Sequence, residues 1–240
     1  MIELSDIDKR YGSSSHGIYI RHLAIPRGEV VGILGENGSG KTTLLKAIMG
    51  LGELQGGTVS IEGRPVQQQY DKLAFVTEEG SFLPHMTPLE YGHFLAKFFP
   101  LFDHKHYRQL LELYALDGDR RIRTFSKGQK LKLEISAGLA KQADYILMDE
   151  PLIGKDLLTR QSFLRLLVGS LHGEETVLIA THLIDEIENV IDRAIILRQG
   201  LVKADVYMDD LRDQGGSLRE LLAEHSSSLP IASVDDADIR

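Results

Sequence analysis

The sequence predicts an α/β fold built on parallel strands. Short apolar runs recur along the chain, helical stretches separate the later ones, and a glycine-rich turn follows one run immediately before a helical pattern. Residues 2–8 alternate apolar and polar side chains, as do residues 18–25 before Pro26 and Gly28 turn the chain; both are expected as edge-type strands. Residues 29–34 form an apolar run ending in glycines, and Leu44, Leu45, Ile48 and Met49 follow at helical spacing, giving strand, loop and helix. Two more strands are expected at 58–62 and 73–76, separated by Gly63, Pro65 and polar residues. From about 84 to 140 the period is helical, with turns near Pro100 and Asp117-Gly118-Asp119, so a helical insert is expected there. Residues 145–148, 176–180 and 194–197 are again short apolar strands with helical stretches between them. After Asp213 the chain ends in a serine-rich, acidic segment expected to be mobile, although Leu218, Leu221 and Leu222 fall at helical spacing.

Composition narrows the function classes. With 240 residues and 42% apolar side chains the chain can bury a proper core. Its longest apolar runs fall far short of the roughly 20 residues that span a bilayer. The acidic, polar start, Met1-Ile2-Glu3-Leu4-Ser5-Asp6, lacks the pattern of a secretory signal, so a cytoplasmic location is expected. No cysteine is present, which excludes disulfides and thiolate metal sites. The net charge of −8 argues against a general affinity for nucleic acid, and most of it lies beyond residue 204, where nine acids meet three arginines.

One motif carries specific chemistry. Gly35-Glu36-Asn37-Gly38-Ser39-Gly40-Lys41-Thr42 fits the eight-residue P-loop pattern and lies between an apolar strand and an amphipathic helix. Its glycines let backbone amides turn toward a polyphosphate, and the helix start adds the positive end of a dipole. Lys41 is placed to reach the β and γ phosphates and the Thr42 hydroxyl to ligate magnesium, with Thr43 beside them. Asp144-Tyr145-Ile146-Leu147-Met148-Asp149-Glu150 reads as a buried strand ending in two carboxylates. Asp149 suits the magnesium shell and Glu150 the polarisation of an attacking water.

With these residues in view, the chain resembles the ATP-binding subunits of ABC transporters over roughly residues 2–215. The resemblance rests further on Phe125-Ser126-Lys127-Gly128-Gln129-Lys130, which stands where that family carries its LSGGQ signature. It implies a P-loop NTPase core with an N-terminal antiparallel β subdomain and an inserted helical subdomain. The catalytic lobe is then about 1–83 and 141–215, the helical subdomain about 84–140, and 216–240 an acidic tail. It also implies that Ser126, Gly128 and Gln129 face the γ-phosphate held by an opposite subunit, where a helix N-terminus favours anions. Pro151-Leu152-Ile153-Gly154-Lys155-Asp156 resembles the family's D-loop, with Asp156 in its communicating position. His182, after residues 176–180, takes the place of the switch histidine that contacts the γ-phosphate. Tyr11, in Lys9-Arg10-Tyr11-Gly12, takes the place of the aromatic that stacks on adenine; covering apolar surface is its other reading.

The sequence also departs from the family pattern. Glu78 stands where most members have a magnesium-ligating glutamine, with Glu79 as the competing assignment. Lys127 replaces a signature glycine and Lys155 an apolar residue. These features resemble the bacterial branch that pairs with ABC-2-type permeases, commonly exporters. Arg120, Arg121, Arg123, Lys127, Lys130 and Lys132 form either a solvated face or an approach to the opposite phosphate. Tyr91, Phe94, Phe98, Phe99 and Phe102 serve either the core of the insert or a groove for the permease.

The resemblance therefore implies a magnesium-dependent ATPase that dimerises on ATP, with itself or a close paralogue, at the cytoplasmic face of a membrane. Two other classes stand against it. An ABC-type ATPase acting on nucleic acid usually carries a second cassette or an added domain, and none is visible. A regulatory module with weak hydrolysis fits Glu78 and Lys127, but sits poorly with Lys41, Asp149, Glu150 and His182 together.

Overall fold

The computed structural model describes residues 1–11, 17–77, 83–153 and 156–226. In chain order its strands are β1 (Ile2–Arg10), β2 (Gly17–Ile25), β3 (Val30–Leu34), β4 (Gly56–Ile61), β5 (Arg64–Pro65), β6 (Leu73–Val76), β7 (Tyr145–Asp149), β8 (Thr176–Thr181), β9 (Arg193–Arg198) and β10 (Leu201–Tyr207). The helices are α1 (Lys41–Ile48), α2 (Pro88–Leu95), α3 (His104–Leu113), α4 (Lys127–Ala140), α5 (Leu157–Gly169), α6 (Ile184–Ile187), α7 (Met208–Asp213) and α8 (Leu218–Ser226).

Two sheets result. One is antiparallel, in the order β2-β1-β4-β5; the other runs β10-β9-β3-β8-β7-β6, parallel from β9 to β6 with β10 antiparallel at its edge. The parallel strands are apolar on both faces, and a period of two divides their side chains between two cores. Tyr145, Leu147, Leu178, Ala180, Ile195 and Leu197 join the antiparallel sheet around Leu44, Leu45 and Ile48 of α1. Ile146, Met148, Val177, Ile179, Ala194 and Ile196 join the core formed with α2 to α5. Helix α1 is thus held between the two sheets, which fixes the turn that precedes it.

Strand β1 corrects one expectation, because it is not an edge strand. It pairs with β2 on one side and β4 on the other, while β2 alone of these two lies at the edge. Alternation reports one dry face and does not count neighbours. The register shifts between Ser5 and Asp8, and Asp6 takes φ 51°, so the buried positions run Ile2, Leu4, then Ile7. Strand β10 is an addition to the sequence reading, which ends its strands at residue 197.

The chain after Asp213 is partly ordered. Leu218 is fully buried, and Leu221 and Leu222 pack against the core that holds α2 to α5. Arg219 forms a bidentate pair with Asp185, at 2.6 and 2.5 Å, and Arg198 donates to the His225 carbonyl. The serine-rich stretch expected to be mobile, 227–240, lies outside the described residues.

Candidate active site

Parallel strands place their C-terminal ends at one sheet edge, where α/β proteins bind ligands. Here β8 lies between β3 and β7, so the ends of all three meet: Leu34 pairs with Thr181, and Ala180 with Asp149. Residues more than a hundred positions apart in sequence converge for that reason.

The P-loop leaves β3 and enters α1. Gly35 has no room for a side chain, since a Cβ there would stand 2.6 Å from Ser39 Oγ, and at Gly40, φ 110°, one would meet Ile18 at 2.7 Å. The loop is pinned by Ser39 N–H to the Glu36 carbonyl (3.1 Å) and by Gly200 N–H to the Ser39 carbonyl (2.9 Å). No side chain caps α1 at Gly40, so its first amides keep donors for an anion. Ser39 is buried and its Oγ finds no hydrogen-bond partner among the described residues, an orphan that a bound phosphate oxygen would satisfy. Asn37 and Gly38 are exposed, and Thr43 is half-buried in α1.

Lys41 is 5% exposed and folds back into the loop, donating to the carbonyls of Gly35 (2.8 Å) and Glu36 (3.1 Å). Its Nζ also lies 3.3 Å from Glu150 Oε1. Thr42 Oγ1 donates to Asp149 Oδ1 at 3.0 Å. Burial raises the Asp149 carboxyl above its ordinary value and the charge of Glu150 adds to this, while the Thr42 hydrogen bond opposes both.

Glu150 follows β7 in the left-handed region, at φ 46°, with its N–H on the Ala180 carbonyl at 2.8 Å. This bend aims its side chain across the end of β8, where Oε2 accepts from Thr181 Oγ1 (3.0 Å) and Oε1 lies 3.0 Å from His182 Nδ1. Lys41, Thr42, Asp149, Glu150 and His182 therefore form one cluster, and Thr181 is a member that the sequence reading missed. The signal for it was a hydroxyl beside the histidine at a strand end, legible only once β8 is known to separate β3 from β7.

The other predicted residues that are described lie on or beside different elements. Ser126 caps α4 in a capping box: its Oγ accepts Gln129 N–H (3.2 Å) and Gln129 Oε1 accepts Ser126 N–H (3.0 Å). Gly128 lies between them, and the described hydrogen bonds of Ser126 and Gln129 do not reach the P-loop. Asp156 caps α5, accepting Thr159 N–H at 3.0 Å. Tyr11 is 48% exposed, with Lys9 Nζ 5.9 Å from its ring centre. Glu78, its competitor Glu79, and Lys155 lie outside the described residues.

Two open readings are sharpened. Tyr91 and Phe102 are buried in the insert, whereas Phe98 is 64% exposed near the similarly exposed Leu101. Arg120, Arg121, Arg123 and Lys127 are exposed; Arg120 bonds Thr124 and Arg121 bonds Glu90 within the insert. A further missed residue is Glu134, buried on α4, whose Oε2 accepts Thr77 N–H at 3.2 Å and so ties the end of β6 to the helix that Ser126 starts.

The family model described as ABC transporter matches residues 21–153. The chain belongs to the ABC transporter family. Among curated ABC relatives, NatA of Bacillus subtilis is 31% identical, over 84% of this chain and 87% of its own. The Nod factor export ATP-binding protein I of Burkholderia lata is 29% identical, over 83% and 68%. The sulfate/thiosulfate import protein CysA of Bacillus cereus is 32% identical, over 84% and 60%. A solved ATP-binding subunit of an ABC transporter superposes with a TM-score of 0.82 at 28% identity, covering 94% of this chain and 99% of that one. The ATP-binding cassette MJ0796, solved as a dimer in a post-hydrolysis state with ADP and Pi, gives 0.74 at 26% identity, covering 87% and 99%. This ABC protein is an ATP-binding and ATP-hydrolysing subunit with the α/β cassette fold. Among its described residues no helix is long and apolar enough to cross a membrane.

The raised Asp149 carboxyl makes the stability of this ABC subunit depend on pH. A buried carboxylate that prefers its proton in the fold costs stability once pH rises above the ordinary aspartate range, because the folded state then loses a proton it binds more tightly than the unfolded state does. Asp149→Asn keeps an oxygen for Thr42 and removes the charge. Its urea midpoint is expected to exceed wild type at pH 7 and to approach it as pH falls toward 4.

Proposed function

We propose that two copies of this ATPase, or one copy and a close paralogue, pack head to tail around ATP and drive a separate membrane permease of ABC-2 type, in the direction of export. The observation that carries the sandwich is the division of the predicted contacts. Lys41, Thr42, Asp149, Glu150 and His182 form one cluster, while Ser126 and Gln129 bond each other at the start of a different helix. One chain thus supplies two half-sites.

In this reading the loop amides, Ser39 Oγ and Lys41 grip the phosphates, and Tyr11 stacks on the base. Ser126 Oγ accepts from Gln129 N–H and keeps its own hydrogen to donate to the partner's γ-phosphate. Thr42 and Asp149 fit a magnesium ion: both donors are oxygens, they stand 3.0 Å apart at the P-loop, and a single carboxylate suits an ion that takes its other ligands from phosphate and water. Magnesium held there would neutralise charge on the phosphate oxygens. Glu78, which follows β6 in sequence, is the further residue proposed for that ion.

Lys41 Nζ stands 3.3 Å from Glu150 Oε1, where a γ-phosphate would compete for it. A γ-phosphate takes Lys41 and His182 from that carboxylate, leaving Glu150 on Thr181 to orient water. Hydrolysis then removes the anion that joins the two half-sites, and Asp156 relays the change between them. Exposed Phe98 and Leu101 on the insert suit an apolar contact with the permease at the cytoplasmic face of the membrane. Export is proposed from the likeness that Glu78 and Lys127 give to the branch pairing with ABC-2-type permeases; relatives are named for both export and import.

Complementation tests the sandwich. Lys41→Met spoils a P-loop and Ser126→Arg a signature, so each variant alone is expected to be inactive. In a mixed dimer one site regains both intact halves. Recovery of ATP hydrolysis on mixing is the expected result, and no recovery when mixed dimers are present contradicts head-to-tail packing.

A further inference from the structure

We propose that Thr181 is a positioning residue that fixes the Glu150 carboxylate for attack by water; this rests on the water-orienting role proposed above for Glu150. Among the described residues, three side chains hold that carboxylate: Lys41 at 3.3 Å, His182 at 3.0 Å and Thr181 at 3.0 Å. The first two are committed to phosphate once ATP binds. Thr181 is not, because it is fully buried at the end of a central strand, paired with Leu34 of β3.

The direction of its hydrogen bond is set by its surroundings. Leu183 N–H donates to Thr181 Oγ1 at 3.1 Å, which leaves the hydroxyl hydrogen for Glu150 Oε2. A hydroxyl donating to a carboxylate is charge-assisted and stronger than a neutral pair. The backbone acts in concert: Glu150 N–H is on the carbonyl of Ala180, the residue before Thr181, and φ of 46° turns the side chain onto the same strand end. Main chain and carboxylate are therefore both anchored on β8. Oε2 is the fixed point, and Oε1, which faces Lys41 and His182, is the oxygen that changes partners when nucleotide enters.

A residue that only filled space at this position would be replaceable by valine, which matches threonine in shape. The test is steady-state magnesium-dependent ATP hydrolysis by the full chain, comparing wild type, Thr181→Val, Thr181→Ser and Glu150→Gln. Binding of a fluorescent ATP analogue and thermal unfolding are measured alongside. Thr181→Val is expected to lower kcat about ten-fold, the size of one lost charge-assisted hydrogen bond, with KM for ATP little changed. Thr181→Ser keeps the hydroxyl and is expected to stay near wild type. Adding Thr181→Val to Glu150→Gln is expected to slow it no further, since the group being positioned is already lost.

Wild-type kcat in Thr181→Val overturns the proposal, as does a Thr181→Ser variant as slow as valine. If Thr181→Val is poorly folded, Thr181→Cys, a weaker donor, decides: kcat between serine and wild-type-like values and those of an inactive variant supports the proposal, and unchanged kcat overturns it. A Glu150→Gln variant that turns over like wild type removes the role of Glu150 itself, a failure distinct from that of Thr181 alone.

Discussion

Glu150→Gln is expected to lower ATP turnover by at least about 10²-fold while ATP binds more tightly, not less. The two effects have separate origins in one side chain. Turnover falls because the amide keeps the reach of the carboxylate but accepts no proton from water and orients it poorly. Affinity rises because the Glu150 carboxylate lies 3.3 Å from Lys41 Nζ, in competition with the γ-phosphate for that cation. Glutamine removes the competing charge, while its oxygen can still accept from Thr181 and its geometry still suits the site. Single-turnover hydrolysis beside titration with a fluorescent ATP analogue separates the two. A loss of turnover with weakened binding would place Glu150 in the phosphate grip and not in the chemistry.

Lys41→Met is the second large effect, and it is expected in binding. The side chain is 5% exposed, and its ammonium satisfies two loop carbonyls, those of Gly35 and Glu36. Methionine fills similar volume, removes the charge and leaves Glu150 facing the phosphate without its cation. Hydrogen bonds to charged groups are worth about 1.5–3 kcal/mol each, so loss of the lysine–phosphate contact is expected to weaken ATP binding by about ten- to a hundred-fold. Equilibrium binding of the analogue checks it, with thermal unfolding as the control for the loop. Unchanged affinity would mean that Lys41 serves the loop carbonyls alone.

What could be read in advance depended on how local each feature is. The P-loop is eight consecutive residues, so its chemistry was visible before the fold was known, and the structure adds the buried Ser39 hydroxyl, without a partner among the described residues. The capping of α4 by Ser126 and Gln129 was equally local, since it needs only residues three apart. Strand existence followed from apolar runs, but whether β1 had one neighbour or two depended on β4, some fifty residues away. The cluster at the sheet edge was half legible: the acids and His182 each stood at a strand end. Thr181 and Glu134 were not, because the first acts through the placement of β8 between β3 and β7, and the second through packing of α4 on the end of β6.

The C-terminal helix shows the same limit. Its leucine spacing was readable, whereas its neighbours were not. Leu222 and His225 line a cavity of about 350 Å³ together with residues Gly35 to Ser39 of the P-loop and His182. Arg219 ties the helix to Asp185, three residues beyond that histidine. No sequence periodicity connects residue 225 with residue 38.

The mass of Glu150→Gln in solution, measured with ATP and magnesium and again without nucleotide, decides whether ATP joins two copies of the chain. A monomer that becomes a dimer only when ATP is present is expected, since each chain holds half of the contacts and the variant cannot remove the anion that joins them. A chain that binds ATP at saturation and keeps the mass of a monomer would contradict that expectation.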